Sequence, residues 1–483
     1  MKFTLADLLT YIGNGIDEGA GVRFPLATRP IGKFCIDSRE VASGDVFVAL
    51  QGEHVDGADY VLSAFERGAR LAIVAEARRD VLEKTSAVEF SAASLRSGRR
   101  MVWLTSDPLD ALQRLSTWWR NRYPGIVVGI TGSVGKTTTK ELVAQVLAVR
   151  SRVVKTEGNR NNAIGVPLTL MNMTSADPFT VVEMGMDRLR EIEAYCEWAR
   201  PQVGVVTLVG PVHLEKLGTI ENIALAKSEL VRALPAADAG GVAVLNEDDF
   251  RVRAMAEVTR ARVITYGLAP TADVRATEIE SHGLEGVSFR IHFGERSLPV
   301  HLKLLGRHSV HTALSAAAVA LSQGYSMEEV VQGLADEPTQ LRLVVTRGPF
   351  DSLVIDDCYN ASPESTIAAL NLLHDVNGPQ PRIAVLGDMF ELGDAEQRGH
   401  EDVGCRAALV ADMVVCVGER SRITARAARE CGARADAVHH VATNADAIAL
   451  LRERVREKSA ILVKGSRGMH MEEIVAALGG FDE

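Results

Sequence analysis

The stretch Ile126-Val-Val-Gly-Ile-Thr-Gly-Ser-Val-Gly-Lys-Thr-Thr-Thr-Lys140 leaves the chain few folds to choose from. Its first half is apolar and β-branched, the composition of a strand buried within a parallel sheet. Gly132, Ser133, Val134 and Gly135 then form a short loop, and Lys136, Thr137 and Thr138 open a run whose apolar residues recur at helical spacing. A strand, a glycine-rich turn and a helix start set backbone N–H groups and the positive end of the helix dipole against an anion. Lys136 adds a cation, and the Thr137 hydroxyl can sit on Mg²⁺. The fit to the usual phosphate loop is one residue off, because its first glycine is due at Ile130 and stands at Gly129. An ordinary strand–turn–helix is the alternative. Gly-Lys-Thr directly after such a strand favours a phosphate site, with ATP as its occupant.

At 483 residues the chain has room for about three domains of ordinary size. Lys and Arg number 53 against 63 Asp and Glu, a net charge of −10, which argues against a general nucleic-acid binder. Six cysteines (35, 196, 358, 405, 416 and 431) contain no C-x-x-C pair and are expected to be free thiols of a reducing compartment. The N-terminal Met-Lys-Phe-Thr-Leu-Ala-Asp lacks the apolar core of a signal. No apolar run approaches the ~18 residues of a membrane span. A soluble cytoplasmic protein without membrane insertion is expected.

The pattern predicts an α/β protein of three domains. Residues 1–104 read as a small N-terminal α/β domain, in which Asp37-Ser38-Arg39 follows a strand. Ser38 and Arg39 are candidates for a ligand's phosphate or sugar, although a turn with a solvated Arg is the plainer reading of those residues alone. Residues 105–336 read as a central phosphate-loop domain with a mostly parallel sheet. An antiparallel ribbon is expected within 272–304. Residues 337–483 read as a Rossmann-like, doubly wound third domain with polar clusters at its strand ends: Asp357-Cys-Tyr-Asn360, Gly387-Asp388 and Lys464-Gly-Ser-Arg467.

Strand ends also supply the central candidates. Glu183 closes an apolar run where open α/β sheets bind ligands, a good place for a Mg²⁺ ligand and also for a structural ion pair. His213 follows the next strand, and a lone His is more often structural. Lys227 lies among Ala224, Leu225 and Ala226, where a lysine usually snorkels to water.

With these residues in hand the chain resembles the Mur ligases of bacterial cell-wall synthesis, ATP-dependent amide-bond-forming enzymes. The likeness spans nearly the whole chain. It is carried by Asp37-Ser38-Arg39, Thr131-Gly-Ser-Val-Gly-Lys-Thr137, Gly158-Asn-Arg-Asn-Asn-Ala-Ile-Gly-Val-Pro167, Glu183-Met-Gly185, His213-Leu-Glu215 and Ala226-Lys-Ser-Glu229. Asp356-Asp-Cys-Tyr-Asn-Ala-Ser-Pro363, Gly387-Asp-Met-Phe-Glu-Leu-Gly393 and Lys464-Gly-Ser-Arg467 complete it. Three of these strings single out the branch that joins D-alanyl-D-alanine to UDP-N-acetylmuramoyl-tripeptide. They are Asn-Asn-x-Ile-Gly-x-Pro, Tyr-Asn-Ala-x-Pro and Gly-Asp-Met-x-Glu-Leu-Gly.

The resemblance implies roles by position. Lys136 would hold the β- and γ-phosphates, with Gly132, Ser133, Val134, Gly135 and Thr138 around them. Thr137 and Glu183 would share Mg²⁺, and His213 would ligate a second ion. Lys227 matches the lysine that the family carbamylates, which makes it a metal-side anion. Asn159, Asn162, Thr312, Arg342, Asp357, Tyr359 and Asn360 would meet the nucleotide, and Ser38 and Arg39 the uridine end of the substrate. Gly306-Arg-His-Ser-Val-His-Thr312 departs from the family's Gly-x-His-Asn-x-x-Asn, so Thr312 replaces an Asn that commonly contacts adenine. A monomer acting through an acyl phosphate is implied. A sister ligase for another amino acid, a folylpolyglutamate-type ligase and a non-catalytic nucleotide switch are the competing readings, and the peptide's third residue, lysine or diaminopimelate, stays open.

Overall fold

The computed structural model describes residues 2–13, 28–96, 99–336, 344–376 and 381–479. The chain divides into two compact units. Met1–Gly129, Arg150–Gly185 and Glu193–Gln202 make the first; Ile130–Val149, Met186–Ile192 and Val203–Glu483 make the second. The division runs through the stretch expected as one central domain.

The first unit opens on five short strands, β1 (Phe34–Cys35), β2 (Val46–Val48), β3 (Leu71–Ala75), β4 (Val88–Glu89) and β5 (Met101–Thr105). They lie in the order β1-β2-β3-β5-β4, and every neighbouring pair is parallel. Continuously apolar strands such as Leu71-Ala-Ile-Val-Ala75 suit a sheet covered on both faces. Phe47, Ala72 and Val74 pack there with Val61, Ala64 and Phe65 of the helix Val61–Glu66. The helix Pro108–Arg120 has a well-marked start, because the Asp107 carboxylate accepts from Leu109 and Asp110 N–H and Pro108 fills the first turn. Its buried face carries Leu112, Leu115 and Trp119, and Trp119 Nε1 donates to the Met173 carbonyl at 3.0 Å. Three more strands follow, β6 (Ile126–Thr131), β7 (Val153–Lys155) and β8 (Phe179–Glu183), in the order β6-β8-β7.

In the second unit β9 (Val203–Val206), β10 (Val242–Asn246), β11 (Arg262–Gly267) and β12 (Val274–Ser281) are successive parallel neighbours. Next, β13 (Val287–Phe293) and β14 (Arg296–Leu302) extend them as the expected antiparallel ribbon. A second sheet comprises β15 (Val344–Arg347), β16 (Leu353–Asp356), β17 (Arg382–Gly387), β18 (Met413–Val417), β19 (Val438–Val441) and β20 (Ala460–Lys464). Its order is β15-β16-β20-β17-β18-β19, and β15 alone is antiparallel.

Alternate residues of this sheet enter different cores. Ile355, Ala384, Leu386, Val414 and Leu462 pack on one face; Val354, Ile383, Val385, Val415, Ile461 and Val463 pack on the other. The inner strands β16, β17, β18 and β20 therefore carry apolar runs, the doubly wound arrangement predicted from the sequence, whereas the edge strands β15 and β19 do not.

The cysteine expectation needs correcting. Cys405 and Cys431 form a disulfide, with Cα atoms 5.1 Å apart, and only Cys35, Cys196, Cys358 and Cys416 are free thiols. The cause is close helix packing: a side chain at Gly404 would strike Thr424 and Ala427 of the helix Ser421–Glu430. That approach brings Cys405 opposite Cys431, across a spacing that carries no sequence signature.

Candidate active site

In the second unit, β6 ends in the predicted loop. Gly132 has φ +148° and a Cβ there would collide with Thr207 Oγ1, so glycine is required. The Thr207 hydroxyl donates to the Val134 carbonyl at 2.6 Å. Ser133 is held from two sides: its N–H donates to Leu208 O at 2.8 Å, and its Oγ donates to Gly210 O (3.0 Å) and accepts from Gly210 N–H (2.9 Å). The loop is thus bolted to the chain that leaves β9. The helix Lys136–Ala148 begins at Gly135 with no side-chain cap, which leaves its first turn suited to an anion. Lys136 Nζ folds back over the loop, donating to Gly132 O at 2.8 Å and to Ser133 O at 3.3 Å.

This loop forms one wall of a cavity of about 500 Å³, an ordinary size for a small-molecule site. Ser133 through Thr138 line that wall; Leu305, His308 and Thr312 line another; Asp357, Tyr359, Asn360 and Lys464 face them. Most candidates drawn from the nucleotide reading therefore share one cavity, and Thr312 does take a place in its lining.

Lys464 emerged in sequence only as part of a strand-end cluster, yet it organises the far wall. Its side chain is 2% exposed, and Nζ lies 2.6 Å from Asp357 Oδ2 and donates to the Asn360 carbonyl at 2.9 Å. His308, also missed, lines the cavity, and desolvation by the surrounding protein holds its imidazole below the usual histidine range.

Two further candidates lie in this unit. His213 has a left-handed backbone, φ +60°, and its Nδ1 lies 2.6 Å from Glu391 Oε2 and 3.4 Å from Asp187 Oδ1. Burial keeps its pKa below the ordinary value despite both carboxylates, and the charge of Lys136 acts in the same direction. Lys227 is buried in the helix Ile220–Arg232 and does not snorkel. Burial first, and the neighbouring charge of Lys136 second, push its amine well below the usual lysine range.

The first unit holds the remaining candidates. Glu183 is fully buried at the end of β8, where Asn161 Nδ2 donates to Oε1 at 2.8 Å. Asn159 and Asn162 are exposed, and Asn162 Oδ1 accepts from Ile164 N–H and Gly165 N–H at the start of the helix Gly165–Met171. Ser38 is buried, whereas Arg39 is 82% exposed and pairs with Asp37 at 2.6 Å, which draws the Asp37 carboxyl down to about 2. A second cavity, about 360 Å³, lies beside them, lined by Lys33, Cys35, Glu40, Lys155, Glu157 and Arg160 among others. None of its charged residues stood among the sequence candidates. Arg342 lies outside the described residues.

Among the described residues no three His, Cys, Asp or Glu side chains gather into a metal cage. Mg²⁺ does not require one, because it commonly takes one or two protein oxygens and completes its shell with phosphates and water. The Thr137 hydroxyl beside the phosphate loop is a donor of that kind, so the loop's wall of the cavity fits the ion.

Family models match the chain in three successive segments: "Mur ligase family, catalytic domain" at 31–116, "Mur ligase middle domain" at 130–320 and "Mur ligase, glutamate ligase domain" at 341–467. The UDP-N-acetylmuramoyl-tripeptide–D-alanyl-D-alanine ligase of Bacillus subtilis is 32% identical over 447 residues, 92% of each chain. The crystal structure of MurF from Acinetobacter baumannii is similar with a TM-score of 0.80 and 29% identity, covering 100% of this chain and 99% of that one. MurF from Thermotoga maritima in complex with ADP gives a TM-score of 0.74 at 26% identity, over 92% and 97% of the two chains. With all three models matched in order and a relative of this identity aligned along nearly its full length, the chain belongs to the Mur ligase family.

Proposed function

We propose that the chain is an ATP-dependent ligase joining D-alanyl-D-alanine to UDP-N-acetylmuramoyl-tripeptide, with release of ADP and phosphate. The observation that carries this reading is the second unit's cavity, in which the phosphate loop faces Asp357, Tyr359 and Asn360 across a space of nucleotide size. We assign residues 1–104 to the UDP end of the substrate, 105–336 to ATP and 337–483 to the dipeptide. Ser38 and Arg39, with Lys33, Lys155 and Arg160 of the neighbouring cavity, offer contacts to the uridine diphosphate. The enzyme works as a cytoplasmic monomer on this reading. Among the described residues no helix is long and apolar enough to cross a membrane.

The chemistry follows from the charges. A substrate carboxylate attacks the γ-phosphorus; the new O–P bond forms as the bond to ADP breaks, giving an acyl phosphate. Both reactants are anions, so Lys136 and the N–H groups of the loop neutralise their repulsion and the charge that builds on the equatorial oxygens. Thr137, Glu183, His213 and Lys227 are the residues that would hold Mg²⁺, which supplies further positive charge when bound. Lys227 fits this role as a carbamate. Only a neutral amine adds to CO₂, burial favours that form of Lys227, and the carbamate left once the nitrogen gives a proton to water turns the repulsion with Lys136 into attraction. The dipeptide amine then attacks the acyl carbon, and phosphate leaves from the tetrahedral intermediate.

Phosphate release from ATP tests the reading. Release should require both UDP-N-acetylmuramoyl-tripeptide and D-alanyl-D-alanine, with a product of matching mass, and should be absent with D-alanine or diaminopimelate alone. Release with a different acceptor would move the enzyme to a sister branch. Folded protein that binds ATP and releases nothing with any acceptor would sink the catalytic reading.

A further inference from the structure

His213 and Glu391 meet as a pair of left-handed residues, φ +60° and φ +63°, joined at two points. His213 Nδ1 lies 2.6 Å from Glu391 Oε2, and the Leu214 N–H donates to the Glu391 carbonyl at 2.9 Å. A Cβ built at Gly393 would lie 3.4 Å from Leu214 Cβ, at van der Waals contact, so the loop that follows β17 seats on the turn that follows β9. The two partners come from different family segments, His213 from the middle-domain match and Glu391 from the glutamate-ligase match. Asp187 Oδ1, 3.4 Å from Nδ1, and Lys216, bound to Asp187 at 2.8 Å and 3.8 Å from Glu391, complete the cluster. Nothing in the phosphate chemistry above uses Glu391.

We propose that Glu391 is the positioning residue of His213, fixing its tautomer and orientation and tying a complete phosphate-side site to the docking of the 387–393 loop. A carboxylate accepts hydrogen bonds and does not donate them, so Nδ1 carries the proton and the Nε2 lone pair is left for a ligand. A carboxylate behind a ligating histidine is a recurrent way to aim an imidazole at a metal and raise its basicity. The second bond, from backbone to backbone, sets the depth at which the loop engages and keeps both left-handed turns in place. The inference rests on His213 being a metal ligand, as read above.

Mn²⁺ titration of the ADP-loaded protein, with free Mn²⁺ followed by its paramagnetic resonance signal, tests it without turnover. His213→Ala identifies the site that depends on the imidazole. Glu391→Ala should weaken that same site about 10- to 100-fold. Glu391→Gln, whose amide oxygen still accepts from Nδ1–H, should stay within about threefold of the parent protein. If His213→Ala loses the Mn²⁺ site and Glu391→Ala keeps it at full affinity, the positioning role is overturned and the ligand reading survives. If His213→Ala binds as the parent does, the ligand reading itself falls and this inference falls with it. Long-range ¹H–¹⁵N correlation of the histidine rings in the unsubstituted protein gives a readout that no folding defect can imitate. The Nδ1–H tautomer at His213 is expected there, and an Nε2–H tautomer overturns the proposal.

Discussion

The two cavities use the same kinds of charge in opposite ways. In the first unit Lys33 pairs with Glu157 at 3.2 Å and Arg160 with Glu40 at 2.8 Å, and all four side chains are 36–63% exposed. In the second, Lys464 is 2% exposed and its partner Asp357 18%. Water screens the first set, so each pair contributes only about 0–1 kcal/mol and can exchange its partner for a ligand at little cost. The Lys464 ammonium has far less access to water, and the pair is fixed by the Asn360 carbonyl as well. On the proposed reading the contrast divides the labour: one cavity is free to trade its cations with an anionic substrate, while the other uses a cation to hold the wall that would meet the nucleotide.

The largest effect should come from breaking the buried pair on one side. Asp357→Ala leaves the Lys464 ammonium with the Asn360 carbonyl and no counter-charge, and should cost about 3–5 kcal/mol, read as a lowered urea midpoint. The double substitution Asp357→Leu with Lys464→Met should recover most of that loss. A cost below about 1 kcal/mol for Asp357→Ala would mean that this pair behaves like the exposed ones, and the contrast between cavities would be gone.

Next comes Lys136→Met, which removes the cation of the phosphate loop. Phosphate release should slow about 10²- to 10³-fold, the scale expected for losing one preorganised donor to a developing anion. An unchanged kcat would remove Lys136 from the reaction. Lys227 gives a smaller, pH-dependent effect. Its folded pKa is depressed while its unfolded value is near the ordinary ~10.4, so between the two the unfolded chain binds a proton that the folded one lacks. The burial penalty is therefore full below the folded pKa and fades as pH rises toward the unfolded one. In CO₂-free buffer stability should climb over that window by up to about 1.4 kcal/mol per pH unit, and Lys227→Met should flatten the slope. Equal slopes in the two proteins would show that Lys227 is charged in the folded state.

What could be read from the sequence was whatever is local in it. The phosphate loop is contiguous, and its glycines, lysine and threonine were all placed by spacing alone. The second sheet was legible because strands covered on both faces are apolar without interruption. Lys464 was not assigned because its partner Asp357 is 107 residues away and no spacing links them. The Cys405–Cys431 pair and the His213–Glu391 contact were hidden for the same reason, since each depends on how closely two distant segments approach. Asn162 shows a different gap: its place in a motif does not reveal that its side-chain oxygen accepts from Ile164 N–H and Gly165 N–H at a helix start.

The smallest stability change should follow Arg160→Ala, and it tests the exposed half of the contrast most directly. Arg160 is 36% exposed and Glu40 49%, so their attraction is screened by water and further by salt. Less than about 1 kcal/mol should be lost in urea unfolding. If the cavity holds the uridine diphosphate, the cation lost is one that binds substrate and transition state alike. The KM for UDP-N-acetylmuramoyl-tripeptide should then rise while kcat holds, the signature of uniform binding. Glu40→Gln should act the other way, lowering that KM by leaving the guanidinium with Glu157 alone, 3.8 Å away. A loss of several kcal/mol in Arg160→Ala would make this cavity structural like its counterpart. Full stability with an unchanged KM in both variants would take it out of the substrate's path and leave Ser38 and Arg39 to carry the uridine end without it.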